Sequence, residues 1–126
     1  MPAPTEIRLR RSEKELVVTF ADGASFTLPA EYLRVESPSA EVQGHAPDQK
    51  VILWGRRHVG ILSLEPVGNY AIRITFDDLH DTGIYSWDYL RELGEQREAR
   101  WARYLEELEA RGLSRDPRKP PPQRPG

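Results

Sequence analysis

The stretch ITFDDLHDTGIYSWDYL, residues 74–90, decides how this chain folds. It begins with alternating apolar residues, passes through an acidic turn and returns through Gly83-Ile84-Tyr85. Such alternation is typical of a half-buried strand. Ser86 is a favourable N-cap, and Asp88 adds a negative charge to the first turn of the helix that follows. The stretch therefore predicts a strand, a turn, a short strand and a helix in succession.

The residues near the N-terminus predict an antiparallel meander. Apolar residues alternate with polar ones in three runs, at residues 7–9, 16–20 and 26–28. An Asp-Gly pair at residues 22–23 is a hairpin signal between the second and third runs. We therefore expect three antiparallel strands that share one apolar face.

A second meander is expected in the middle of the chain. Residues 51–54 are apolar and β-prone, and residues 59–64 have the pattern of a strand that returns beside them. Turn signals lie at residues 55–58 and 65–69. Residues 70–76 then give the clearest alternation in the chain. The two meanders together predict about six to seven short strands.

The remaining segments predict helices and a loop. Residues 30–34 fit one helical turn, and residues 35–50 have the Ser, Pro, Gly and Gln content of a surface loop. Gly94 is expected to stop or kink the helix that follows Ser86. Residues 95–113 predict an amphipathic helix laid across a sheet. Its apolar face holds Trp101, Leu105 and Leu108.

The predicted fold class is therefore α+β, with antiparallel meanders and a C-terminal amphipathic helix. A chain of 126 residues fits one small domain, which we place at residues 6–113. Residues 1–5 and the Pro/Arg-rich residues 114–126 are expected to be disordered, because they cannot bury apolar surface.

Composition excludes several classes of function. The net charge is −2 with 30% charged residues, so the chain lacks the basic stripe of a nucleic-acid-binding protein. It has no apolar run of membrane-spanning length and no secretory signal, so we expect no membrane partner and a cytoplasmic location. Because there is no cysteine, the chain has no thiolate nucleophile and no thiolate metal ligand.

The acidic turn holds the residues of a candidate site. Asp78, His80 and Asp81, together with Asp77, are the residue types of a metal site or of a carboxylate pair. Aspartate is also favoured in turns because its carboxylate accepts hydrogen bonds from nearby backbone amides. A purely structural role for the acidic residues is therefore the competing interpretation.

Histidine would be the first ligand of any metal here. His80 is the leading candidate, and His45 and His58 are the other two histidines that an open site would recruit. Nothing in their spacing requires that the three converge. Tyr85 and Trp87, which follow the turn, complete the set of candidate binding residues. The sequence offers no candidate catalytic residue and no cofactor motif.

Several motifs resemble one known family. Gly68-Asn69-Tyr70-Ala71 precedes the pattern FDDxHDxGIYxWxYL at residues 76–90, and Leu33-Arg34 precedes SPSAEVQGH at residues 37–45. This combination is similar to the gamma-butyrobetaine hydroxylase-like N-terminal domain family, and to its stand-alone bacterial members, long catalogued as a domain of unknown function. The resemblance covers residues 5–113.

The resemblance implies a domain that has lost its metal. In the carnitine-pathway dioxygenases the module precedes a catalytic barrel and binds zinc through three cysteines and one histidine. No barrel follows Leu113 here, so we expect no dioxygenase activity. His80 matches the histidine ligand, whereas Ser37 and Ser39 match two of the cysteines and the third falls near Val42. Leu79 stands where the family more often has glycine, which questions the usual conformation of the turn.

We therefore expect a non-enzymatic binding or scaffolding module. Its surface would be the turn at residues 78–85 beside the loop at residues 35–50. The partner is an unknown protein, and the resemblance implies an iron–sulfur assembly ATPase as a candidate because related modules are fused to such proteins. The chain would be a monomer or a weak homodimer. The alternative is a small metal-binding protein that uses His80 with nearby Asp and His residues.

Overall fold

A computed structural model describes residues 2–44 and 50–117 and begins with a three-stranded antiparallel sheet. Strands β1 (Glu6–Arg10), β2 (Glu15–Thr19) and β3 (Ser25–Pro29) lie in the order β1-β2-β3. Leu16 pairs with Leu28 across β2 and β3, and both side chains are fully buried. The predicted N-terminal meander is confirmed.

The second sheet contains β4 (Ile61–Val67), β5 (Ala71–Phe76) and β6 (Gly83–Ser86), again antiparallel and in sequence order. The central strand β5 buries Ile74 and Phe76, as its alternation predicts. In the register of β5 and β6, Ile74 lies opposite Gly83 and Ile72 lies opposite Tyr85. The six strands of the two sheets and the helices below confirm the α+β class.

The helices are α1 (Ala30–Val35), α2 (Ala40–Gln43), α3 (Trp87–Glu95) and α4 (Arg97–Ala110). The Ser86 hydroxyl accepts a hydrogen bond of 3.1 Å from the Tyr89 amide, so the predicted N-cap is confirmed. α3 ends at Glu95, one residue after Gly94, and α4 begins at Arg97, so the predicted interruption near Gly94 is confirmed. A Cβ atom at Gly94 would be 2.4 Å from the Phe26 ring, so the glycine lets α3 pack closely on β3.

One hydrophobic core joins the two sheets to α1 and α3. Its large, fully buried side chains are Leu16, Val18, Leu28, Tyr32, Leu33, Ile74, Phe76, Tyr85, Leu90 and Leu93. A smaller cluster of Val35, Tyr104 and Leu108 packs against Leu53 and Trp54. The helix that covers a sheet is thus α3, whereas α4 packs mainly on the smaller cluster.

The prediction was wrong for the 51–54 run and for Leu105 of the α4 face, whereas Trp101 and Leu108 pack as predicted. Residues 51–54 form no strand, and the Leu53 carbonyl instead accepts a hydrogen bond of 2.7 Å from the Tyr104 hydroxyl. Tyr104 is therefore the buried residue of α4 beside Leu108, and Leu105 is 40% exposed. The return strand also runs later than residues 59–64, and Pro66 lies inside it, which an edge strand tolerates.

The two segments expected to be loop or tail make specific contacts. Within residues 35–50, Ser37 and Val42 are buried and α2 is capped by Ser39, so this region is not simply a surface loop. The Ser114 carbonyl accepts a hydrogen bond of 2.9 Å from the Gly55 amide. Residues 45–49 and 118–126 lie outside the described residues. Within the described part of the chain, no helix has the length and apolar character needed to cross a membrane.

Candidate functional site

The turn between β5 and β6 is a compact loop with one apolar residue at its tip. The Phe76 amide donates to the His80 carbonyl and the Leu79 amide donates to the Phe76 carbonyl, both at 2.9 Å. This closure puts Leu79 at φ +71°, a left-handed conformation that favours glycine. The leucine therefore keeps the backbone conformation that the resemblance put in question. Its side chain is 78% exposed.

Asp78 fixes one side of this turn. One carboxylate oxygen accepts from Arg34 Nε at 2.8 Å and lies 3.2 Å from Arg56 Nε, and the other accepts from the His80 amide at 3.2 Å. Burial alone would raise the pKa of Asp78, but the bonds from Arg34 and the His80 amide lower it overall. Asp78 is thus an ionised turn residue that neutralises a buried arginine.

His80 fixes the other side of the turn. Its ring is buried, with Nε2 2.9 Å from the Ser37 hydroxyl and Nδ1 3.2 Å from a Glu41 carboxylate oxygen. Burial, followed by the nearby Arg34 charge, lowers the pKa of His80 below its ordinary 6.5. The imidazole is therefore neutral at pH 7. Because a carboxylate can only accept, Nδ1 carries the proton and Nε2 accepts from Ser37.

The order serine, histidine, glutamate is the connectivity of a hydrolase triad. The serine hydroxyl has no room for a substrate, however. Ser37 is fully buried, and a Cβ atom at Gly83 would lie 2.7 Å from its Oγ, so the β6 backbone covers the hydroxyl. The cluster therefore acts as a cross-link between the segment after α1 and the β5–β6 turn. A second cross-link of 2.7 Å joins the hydroxyls of Ser39 and Thr82 beside it.

The residues at the family's zinc positions do not fit a zinc ion. Ser37, Ser39, Val42 and His80 are all buried, but they offer two hydroxyls, an isopropyl group and a single imidazole. Structural zinc needs four good donors, and neutral hydroxyls are poor ones. The imidazole Nε2 is also occupied by Ser37. Hydrogen bonds, and not a metal ion, therefore join the segment after α1 to the β5–β6 turn.

The alternative metal site finds no support in the described part of the chain. Among residues 2–44 and 50–117, no three His, Cys, Asp or Glu side chains come together to hold an ion. His58 is exposed, and only its carbonyl is engaged, by Lys14 Nζ at 2.8 Å. Asp81 is exposed as well. His45 lies outside the described residues, so its part in that prediction is not addressed.

The other two predicted binding residues, Tyr85 and Trp87, each donate a hydrogen bond to a backbone carbonyl. Tyr85 is fully buried and its hydroxyl donates to the Leu33 carbonyl, so it is inaccessible to a partner. Trp87, the first residue of α3, donates from Nε1 to the Asn69 carbonyl at 2.9 Å. The sequence reasoning did not include the exposed Leu79 among the candidate binding residues. Its signal was a large apolar side chain at a turn position where glycine is usual.

Comparison with known proteins agrees with this architecture. Two solution structures determined by NMR share 47% and 44% identity with this chain, with TM-scores of 0.81 and 0.80. Each alignment covers 93% of this chain, and 92% and 87% of the respective neighbour. No curated protein matches.

A crystal structure from Acidithiobacillus ferrooxidans, of a protein of unknown function in the DUF971 family, is 40% identical. Its TM-score is 0.62, and the alignment covers 72% of this chain and 91% of that one. The family described as gamma-butyrobetaine hydroxylase-like, N-terminal, matches residues 7–91. With its two antiparallel sheets, its four helices and this match, the chain belongs to the gamma-butyrobetaine hydroxylase-like N-terminal family.

Proposed function

We propose that this domain is a non-enzymatic binding module that presents the β5–β6 turn to a protein partner. The observation that supports it is Leu79, which is 78% exposed and held in a left-handed conformation. Strained, exposed residues that the surrounding structure over-determines are concentrated at functional sites. Asp78 and His80 anchor the backbone on either side, so the leucine is presented on a rigid support.

We propose a non-enzymatic role because the potential catalytic groups of the turn are already engaged in hydrogen bonds. A general base needs a free lone pair facing a substrate. Both ring nitrogens of His80 are engaged, and Ser37 lies beneath the β6 backbone. Asp78 is committed to Arg34. The most reactive groups of the turn are therefore used to hold its shape.

The charge and polarity of the turn indicate what kind of surface its partner would have. Asp77 and Asp81 are exposed on either side of Leu79, so the turn presents an apolar tip between two acidic side chains. A complementary partner has an apolar pocket with a basic rim. The family resemblance makes a P-loop ATPase of iron–sulfur cluster assembly the candidate to test first, in the cytoplasm.

The test is site-specific photo-crosslinking in the native cell. A benzoylphenylalanine at position 79 should capture a protein that the same group at Tyr70, an exposed residue of the β4–β5 turn, does not capture. The captured protein, purified, should then bind the wild-type domain and lose at least about tenfold in affinity with Leu79→Asn, which tolerates the left-handed backbone. Equal capture from both positions, or unchanged affinity for Leu79→Asn, would rule the turn out as the contact surface.

A further inference from the structure

A groove of about 600 Å³ lies between α4 and the start of α1, away from the β5–β6 turn. Its floor is apolar and aromatic: Pro29, Tyr32, Trp101, Ala102 and Leu105. The rings of Tyr32 and Trp101 meet edge to face at 6.2 Å. The exposed Leu105 packs into neither core cluster and lines this floor.

The chain itself already enters the groove at Arg115. Its guanidinium lies 5.1 Å from the centre of the Trp101 ring and donates two hydrogen bonds to Glu31, of 2.8 and 2.6 Å. The Glu31 side chain is 7% exposed and that of Arg115 is 32% exposed, so the pair is partly shielded from solvent. The Arg115 carbonyl accepts from the Arg57 amide at 3.1 Å, which fixes the backbone at the same point. The C-terminal segment is therefore anchored at the edge of the groove.

The sequence after Arg115 has the composition of peptides that bind aromatic grooves. Residues 118–126 read RKPPPQRPG, with four prolines, three basic residues and no acidic residue. Proline-rich segments bind in the polyproline II conformation to grooves lined by aromatic side chains, because little conformational entropy is lost. At about 3.1 Å per residue such a segment spans roughly 28 Å.

The rim of the groove suits a basic segment. The positive charge of Arg115 is balanced by Glu31, and Arg97 donates to the Thr27 carbonyl at 2.6 Å. Glu98 is the exposed acid on the α4 wall, within reach of a passing lysine or arginine. The groove thus combines an aromatic floor with an available carboxylate.

We propose that this groove is a binding site for a basic, proline-rich segment and that its occupant is residues 118–126 of the same chain. The site is separate from the turn proposed above as the contact surface for a partner. In this proposal, Trp101 and Leu105 are the surface offered to the prolines, and Glu98 is the carboxylate offered to a basic residue.

Paramagnetic NMR on the full chain tests this directly, because the chain has no cysteine and one can be introduced for a spin label. With a nitroxide on Gln123→Cys, the amides of Ala102 and Leu105 and the Trp101 indole should lose most of their signal intensity. The amides of β1, which lies at the opposite edge of its sheet from β3 and Pro29, should keep theirs. Replacing Pro120, Pro121 and Pro122 by serine, at the same length and charge, should restore the groove signals.

Two further arms distinguish the competing occupants. Ala102→Arg, an exposed substitution that fills the groove, should also abolish the loss of intensity while the rest of the spectrum is unchanged. A second sample mixes spin-labelled chain without ¹⁵N and ¹⁵N-enriched chain without the spin label. Its groove signals should keep their intensity. Undiminished groove signals in the labelled chain, or a loss that appears in the mixture, would overturn the proposal; the second result would mean that a second copy supplies the segment.

Discussion

The hydroxyl of Ser37 lies 2.9 Å from Nε2 of His80, and this bond joins two segments that are 43 positions apart in the sequence. By the family resemblance, Ser37 and His80 stand at two of the positions that would bind zinc in the carnitine-pathway dioxygenases. The bond is fully buried, so it contributes far more to stability than an exposed contact of the same length would. The stability of the turn should therefore depend on this pair.

Replacing Ser37 with alanine should destabilise the domain by about 1–3 kcal/mol, because the buried Nε2 of His80 then has no donor. Urea unfolding measures the loss. Ser63→Ala, at an exposed position of β4, is the matched control and should change stability by less than about 0.5 kcal/mol. Similar values for the two variants would show that the Ser37–His80 bond contributes little.

Stability should fall as the pH decreases from about 7.5 to about 5.5. The pKa of His80 is lowered on folding, so the unfolded chain binds more protons than the folded one below the ordinary value of 6.5. The stability contributed by the neutral ring is complete above that pH and is lost as the pH falls toward the folded pKa. Urea midpoints across this range should show the slope in wild type and in His58→Gln, whereas His80→Gln should flatten it.

Replacing Leu79 with glycine should stabilise the domain by about 0.5–1 kcal/mol, because glycine adopts the left-handed conformation without the clash of a Cβ atom. Leu79→Ala keeps that clash and should not gain the same stability. If the turn is the contact surface, Leu79→Gly should also bind the partner more weakly. A variant that is less stable than wild type would show that the leucine is not strained.

Replacing Asp78 with asparagine should cost about 2–3 kcal/mol, because it leaves the positive charge of Arg34 buried without a counter-ion. The Arg34 side chain is 8% exposed and that of Asp78 is 26% exposed, which keeps the cost below that of a fully buried pair. Asp81→Asn, in the same turn but exposed, is the control. Thermal melting of the two variants should separate them by several degrees.

Restoring thiolates should restore metal binding. The combined substitutions Ser37→Cys, Ser39→Cys and Val42→Cys place three thiolates beside His80, the donor set that structural zinc prefers. Elemental analysis should find one zinc per chain in this variant, and adding His80→Gln should weaken its retention. Failure of the triple variant to retain zinc would show that these four positions do not converge as the family resemblance implies.

The sequence predicts this fold best where local signals agree. Between residues 74 and 90 the alternation, the acidic turn and the Ser86 cap specify consecutive elements that contact one another, so no distant information is needed. The 51–54 run has a strand-like composition, but its partner is Tyr104, fifty positions away, and that partner is not visible locally. For the same reason Leu105, which is exposed, was included in the buried face of α4.

The candidate site was only half predictable. Asp78 and His80 were identified by residue type, yet their roles depend on Arg34 of α1 and on Ser37 and Glu41, which come from a segment with the composition of a surface loop. The role of each of these residues depends on its buried contacts, which residue type alone does not indicate. The exposed leucine at the tip was noticed as a departure from glycine, but its exposure required the structure.

The closeness of Gly83 to Ser37 constrains how this family can diverge. Any side chain at position 83 would occupy the space of the atom at position 37, whether that atom is oxygen or the larger sulfur. The two positions should therefore co-vary among relatives. Wherever residue 83 is not glycine, residue 37 should be alanine or glycine. Such relatives should have neither the hydroxyl bridge to the histidine nor a thiolate at position 37.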